Sequence, residues 1–210
     1  IDNALCANSN FDEVDIVTNA LPTASISGTQ EICNGNSASL SLVFTGTAPF
    51  TYSYSNGVTT FGPFTTSNNP ENVLVSPAAT RTYTLLSVDD NACPGTVSGN
   101  AVVTVTQAPP AGTIATLNAP VIACVGDVST VTCNAVAGAT GYTWSGPSGT
   151  LFNGQPGPYT SLTNSVSVEF GVLTVTSGYN ICVKAVNACG QSNNKCYWVR
   201  GNVSVPAPIS

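Results

Sequence analysis

The chain has 210 residues, no histidine, eight cysteines and only 7% charged residues, with a formal net charge of −6. The lack of histidine excludes a Ser-His-Asp triad, a Cys-His dyad and imidazole metal sites, and four basic residues cannot supply the phosphate-neutralising patch of a nucleic-acid binder. Hydrophobic residues still reach 42%, too many for a disordered chain, yet no uncharged apolar run approaches the ~20 residues of a membrane span.

Taken in chain order, the local pattern is β throughout. Val14-Asp15-Ile16-Val17-Thr18 alternates and leads to the joint Leu21-Pro22. Ser39–Phe44, Phe50–Tyr54 and Thr82–Leu85 alternate polar with apolar residues, and Ala101–Val105 is a β-branched run before the Pro-rich joint Ala108-Pro109-Pro110-Ala111. Tyr142–Trp144, Ser165–Phe170 and Gly201–Val205 follow, the last before Pro206-Ala207-Pro208. Period-two alternation places one set of side chains on a buried face and the other in water. Gly, Pro, Asn and Ser clusters separate the runs at the spacing expected of a sandwich. The reading is all-β, as tandem disulfide-bonded antiparallel β-sandwiches.

The chain also repeats itself. Cys33-Asn34-Gly35 recurs as Cys124-Val125-Gly126, and Asn91-Ala92-Cys93 as Asn187-Ala188-Cys189. The spacings fit two copies of a unit of about 90 residues. Asp2-Asn3-Ala4-Leu5-Cys6 is similar to Asp90-Asn91-Ala92-Cys93, so residues 1–20 are expected to be the C-terminal strands of a preceding repeat, with Cys6 orphaned. The division is then 21–108 for the first sandwich, 109–206 for the second, and 207–210 for the start of a following linker.

Eight cysteines without histidine, and without a Cys-x-x-Cys pair, fit disulfides better than zinc and imply an oxidising, extracellular location. Equivalence within the repeat suggests the pairs Cys33–Cys93 and Cys124–Cys189. Cys182, which shares strand parity with the outward Lys184, pairs with Cys196 across a hairpin, with Cys133–Cys182 as the alternative. One thiol is then left, buried and inert. No basic cluster is present to activate a cysteine.

Few residues suggest chemistry. Asp89 and Asp90 are candidate calcium ligands, as is Asp12-Glu13-Val14-Asp15, but neither cluster has EF-hand spacing, and Asp and Asn also favour simple turns. Lys184 and Lys195 lack a Ser-x-x-Lys motif and read as surface charges. Tyr142, Trp144, Phe50, Tyr52 and Tyr54 read as core. Tyr197 and Trp198, adjacent on a strand, point to opposite faces. Trp198 is thus a candidate ligand contact, able to stack on a sugar, or else a ring lying over a domain edge. Asn202-Val203-Ser204 has the form of a glycosylation sequon.

Ala139–Trp144 together with Val186-Asn187-Ala188-Cys189-Gly190 resembles the PKD-like repeats of Bacteroidota surface proteins. Gly28–Gly35 with Tyr83–Cys93 resembles the companion Ig-like repeat. The resemblance covers residues 21–206 and extends to the type 9-secreted adhesins, including the SprB-type gliding-motility family. It implies a non-catalytic structural and adhesive segment of a large cell-surface adhesin. Its partners would be neighbouring repeats of the same chain and surface polysaccharide. The alternative is an accessory or carbohydrate-binding module of a secreted enzyme.

Overall fold

The computed structural model describes residues 20–90, 93–171 and 179–201. The expected strands Val14–Thr18 and Asn202–Val205, the Asp12–Asp15 cluster, Cys6 and the sequon lie outside the described residues.

The first half carries nine strands: β1 (Thr23–Ser27), β2 (Gln30–Cys33), β3 (Ala38–Thr45), β4 (Phe50–Ser55), β5 (Thr60–Thr66), β6 (Glu71–Val75), β7 (Arg81–Asp89), β8 (Thr96–Ser98) and β9 (Ala101–Thr106). They form one sheet in the order β6-β3-β1-β8 and another in the order β2-β9-β7-β4-β5. The second half carries β10 (Leu117–Asn118), β11 (Ile122–Ala123), β12 (Val128–Cys133), β13 (Gly141–Ser145), β14 (Leu151–Phe152), β15 (Gln155–Pro156), β16 (Tyr159–Ser161), β17 (Ser165–Glu169), β18 (Tyr179–Asn187), β19 (Gly190–Gln191) and β20 (Lys195–Gly201). Its sheets run β10-β12-β17-β14-β15 and β11-β20-β18-β13-β16, with β19 paired to β18. No helix among the described residues is long and apolar enough to cross a membrane. By its described residues the chain divides into two compact units. One lies within Ile1–Ser27, Ser41–Val73 and Tyr83–Asn100, the other within Gly28–Leu40, Leu74–Thr82 and Ala101–Ser210.

The alternation read from the sequence becomes burial. On β3, Ala38, Leu40, Leu42 and Phe44 are buried while Ser39, Val43 and Thr45 are exposed. On β4, Phe50, Tyr52 and Tyr54 face the core, and the rings of Phe44 and Phe50 stack at 4.8 Å. Two irregularities break the period. Opposite β4, Tyr54 pairs with Leu85 but Ser53 with Ser87. The extra residue, Leu86, is left exposed, and Val88 returns to the core, as a β-bulge requires. Opposite the same strand, Tyr52 pairs with Phe64 and Tyr54 with Phe61. The bulge falls at Gly62, where φ is 105° and a Cβ would stand 2.9 Å from the Tyr52 carbonyl oxygen. Only glycine fits there.

The second core gathers Val131, Trp144, Phe152, Val166, Val168, Phe170, Ile181 and Val183, all essentially inaccessible. Trp144 donates its indole N–H to Ser161 Oγ at 2.8 Å, and Val136 N–H donates to the Tyr142 hydroxyl at 2.8 Å. Burying a large side chain stabilises a fold by ~1.5–3 kcal/mol, provided that its polar atom finds a partner. Both aromatics meet that condition.

Both halves open in the same way. β1 pairs antiparallel with β3, but β2 pairs parallel with β9. β10 pairs antiparallel with β12, but β11 pairs parallel with β20. Each first strand therefore leaves one sheet and joins the last strand of the other. This places a cysteine at the end of the strand that lies beside the last one: Cys33 is the final residue of β2, and Cys124 directly follows β11.

Candidate functional site

The two Cys-x-Gly motifs fold as the same turn. Asn36 N–H donates to the Cys33 carbonyl at 3.0 Å, and Asp127 N–H to the Cys124 carbonyl at 3.1 Å. Gly35 has φ of 91° and Gly126 of 84°, and a Cβ on either would meet open space. Glycine is present for its backbone angle, not for packing. Cys33 stands opposite Thr106 at the end of β9, and Asn34 N–H donates to the Thr106 carbonyl at 3.0 Å. Cys124 follows Ala123, which stands opposite Gly201 at the end of β20. Each turn is thus anchored where the last strand of its sandwich leaves.

Cys189 and Cys93 are anchored elsewhere. Cys189 N–H donates to Asn187 Oδ1 at 2.9 Å, while Asn187 Nδ2 donates to the Gln107 carbonyl at 2.8 Å. A Cβ on Gly190 would come within 2.9 Å of Ala108. Cys93 N–H donates to Asp90 Oδ1 at 3.2 Å, and Thr96 N–H donates to the Pro22 carbonyl at 3.0 Å. A Cβ on Gly95 would overlap that same carbonyl oxygen. Each of these hairpins is tied to the joint that leads into its own sandwich, Leu21-Pro22 or Gln107-Ala108.

These anchors correct the expected pairing. The structure bonds Cys33 to Cys189, with a Cα–Cα distance of 5.3 Å across 156 residues of sequence. It forms neither Cys33–Cys93 nor Cys124–Cys189. The physical reason is that Cys33 belongs to the joint after Thr106, which is where the Cys189 hairpin is held, whereas Cys93 belongs to the joint at Pro22. A cystine needs its Cα atoms within ~7 Å, so cysteines that share a joint pair. Cys182 is bonded to Cys196, its direct cross-strand neighbour in the β18–β20 register. The alternative Cys133–Cys182 is not formed: Cys182 lies between the core residues Ile181 and Val183 and so points outward, while Cys133 is buried.

Among the described residues, Cys93, Cys124 and Cys133 are free thiols, the first two partly exposed. Burial pushes the Cys133 thiol up to about 11, which keeps it protonated and unreactive.

Trp198 is 52% exposed on β20, opposite Asn180. Cys196 and Arg200 are exposed at the alternate positions on either side of it, while Tyr197 and Val199 turn toward the core. Asp89 and Asp90 do not build a cation site. Asp90 is buried, and its carboxylate accepts the N–H groups of Cys93 and of Thr47, at 3.2 and 3.3 Å. Asp89 ends β7 and pairs with Thr51. No group of three or more acidic or cysteine side chains able to hold a metal occurs among the described residues. The Asp90 staple was legible only as an acidic turn, because the residues it serves are distant in sequence.

A tandem of Ig-like and PKD-like β-sandwiches is the class that this architecture defines. Residues 21–102 match the family profile described as the Ig-like domain of nucleoporin POM152, and residues 108–199 match a PKD-like domain. Domains of these kinds are generally non-catalytic. No protein of curated function matches the chain. Solved structures that resemble it include the N-terminal Ig1-2 module of the Drosophila receptor protein tyrosine phosphatase DLAR, at 16% identity and a TM-score of 0.34, covering 88% of this chain and 100% of that one. Drosophila OTK extracellular domains 3–5 align at 11% identity and a TM-score of 0.44, covering 87% and 60%. Chicken CNTN1 FN1-FN3 domains align at 12% and 0.41, covering 87% and 69%.

Proposed function

We propose that this chain is a structural and adhesive repeat segment of a large extracellular adhesin, of the kind exported by type 9 secretion and used for surface attachment or gliding. The observation that carries the reading is the Cys33–Cys189 cystine, which joins the stretch matched as Ig-like to the stretch matched as PKD-like. A covalent staple between successive repeats suits a chain that transmits tension. An oxidising location is where such a bond persists, and a surface of Ser, Thr and Asn keeps a weakly charged chain in solution. Antibodies raised against the chain test this reading. They should label intact cells of its source and reduce their attachment to glass or to polysaccharide. Labelling that requires permeabilised cells would overturn it.

A second reading, a carbohydrate-binding module beside a secreted enzyme, is favoured by one observation, the exposed Trp198 ring. Aromatic faces stack on sugars. Binding of surface polysaccharide that is lost in Trp198→Ala would support it. Both readings place catalysis outside these residues.

A further inference from the structure

Cys93 and Cys124 occupy the positions that, one repeat away, are already bonded to each other. Cys124 corresponds to Cys33: Cys33 ends and Cys124 directly follows a strand parallel to the last strand of its sandwich, and each opens a Cys-x-Gly turn with the same hydrogen bond and a positive-φ glycine. Cys93 corresponds to Cys189: each has its N–H accepted by a side-chain oxygen just upstream, Asp90 Oδ1 for Cys93 and Asn187 Oδ1 for Cys189, and each is held to its leading joint, through Thr96 and Asn187 respectively. Cys33 and Cys189 form a cystine. Cys93 and Cys124 carry partly exposed thiols.

We infer that the Cys-x-Gly turn of one repeat and the Cys93- or Cys189-type cysteine of the next are the two halves of a disulfide connector between consecutive repeats, so that Cys124 bonds to the hairpin cysteine of a following repeat and Cys93 to the turn cysteine of a preceding one. Each repeat then carries one half-cystine at each end, and an array of them is a chain of sandwiches linked covalently twice at every joint, once by the backbone and once by a cystine. The partner is a like repeat of the same polypeptide. This rests on the repeat reading and not on adhesion.

The bond forms by ordinary exchange with a small-molecule disulfide such as glutathione disulfide. The Cys124 thiolate attacks one sulfur of the disulfide and releases one glutathione thiolate. The thiolate of the hairpin cysteine then attacks the Cys124 sulfur of the mixed disulfide and releases the second. Two protein thiols lose two electrons and two protons, and glutathione disulfide is reduced to two glutathione molecules.

The test duplicates residues 21–206 in tandem within the full chain and refolds it with glutathione disulfide. Non-reducing peptide mapping should find Cys33–Cys189 in both blocks and a new bond from Cys124 of the first block to Cys93 of the second. Cys93→Ser in the second block should release the first block's Cys124 to alkylation and leave both Cys33–Cys189 bonds intact. If Cys124 and Cys93 at that joint stay alkylatable while both Cys33–Cys189 bonds are present, the inference falls and the repeat reading stands. Should the duplicated chain refold poorly, the 210-residue chain serves. A Cys93→Ser chain mixed with a Cys124→Ser chain should give a heterodimer joined by Cys124 of the former and Cys93 of the latter. Where the duplicated chain does not refold, absence of that heterodimer bond overturns the connector.

Discussion

Cys33 is bonded to Cys189 because the turn of the one and the hairpin of the other are both held at the Thr106–Ala108 joint, the turn by Thr106 and the hairpin by Gln107 and Ala108. The bond closes a long loop, and in the chain-entropy model such closure stabilises by about 4–5 kcal/mol. Cys33→Ser and Cys189→Ser should each lower stability by about 2–5 kcal/mol, and the double variant should lose no more than either single one, as expected of two ends of one interaction. Denaturant unfolding of the three variants checks this. Additive losses would mean that the cysteines act separately.

The Cys182–Cys196 cystine spans only 14 residues on the outer face of a sheet. Its removal should cost about 3 kcal/mol or less and leave the β18–β20 register intact. A Cys182→Ser, Cys196→Ser double variant should still show the Cys33–Cys189 bond in a peptide map. Scrambling of that bond would show that the hairpin cystine guides the longer pairing.

Cys133 is buried, and its thiol is raised to about 11. In the folded chain only Cys93 and Cys124, of the described thiols, should react with a thiol reagent near pH 8, and Cys133 only after denaturation. The same shift sets a pH dependence. The fold favours the neutral thiol, so its contribution is complete below the unfolded value of 9.0 and is lost as pH rises from 9.0 through about 11. Wild type should therefore lose stability over that window more steeply than Cys133→Ala, with both melts run at each pH.

Asp90 joins Thr47 to the Cys93 hairpin through its carboxylate. Asp90→Ala leaves N–H donors unsatisfied in a partly buried place, and should cost about 1–3 kcal/mol. Asp90→Asn, which keeps an acceptor, should cost less. Calcium should not raise the melting temperature of the wild type, since these oxygens are occupied. A rise that is abolished in Asp90→Ala would restore the cation reading.

Trp144→Phe removes the donor to the buried Ser161 hydroxyl and should cost about 1–3 kcal/mol, whereas Trp198→Ala should change stability by about 0.5 kcal/mol or less, as an exposed substitution. Thermal unfolding of the two separates core from surface. Equal losses would contradict the assignment of Trp198 to the outer face.

Where packing is local and periodic, the sequence is legible. Leu40, Leu42 and Phe44 on β3, and Tyr142 with Trp144 on β13, are buried where alternation puts them. The strands that escape it are short or irregular. β5 is an exposed strand holding Gly62-Pro63, a sequence that argues against a central strand, and β10, β11, β14 and β15 have two residues each. The cysteine pairing escaped for a different reason. Repeat spacing shows which cysteines are equivalent, but not at which joint each one lies. That depends on the parallel pairing of β2 with β9 and on the hydrogen bonds from Asn187 to Gln107 and from Thr96 to Pro22, contacts between residues far apart in sequence. The exposed side of the Tyr197-Trp198 pair was likewise undetermined until the inward placement of Val199 fixed the parity of β20.

The most direct measurement is a non-reducing peptide map of the 210-residue chain after oxidative folding, with free thiols alkylated first. Cys33 linked to Cys189, with Cys93 and Cys124 alkylated in the single chain, is the predicted result. Cys33 linked to Cys93 would contradict it, by closing each cystine within one sandwich and removing the covalent joint between them.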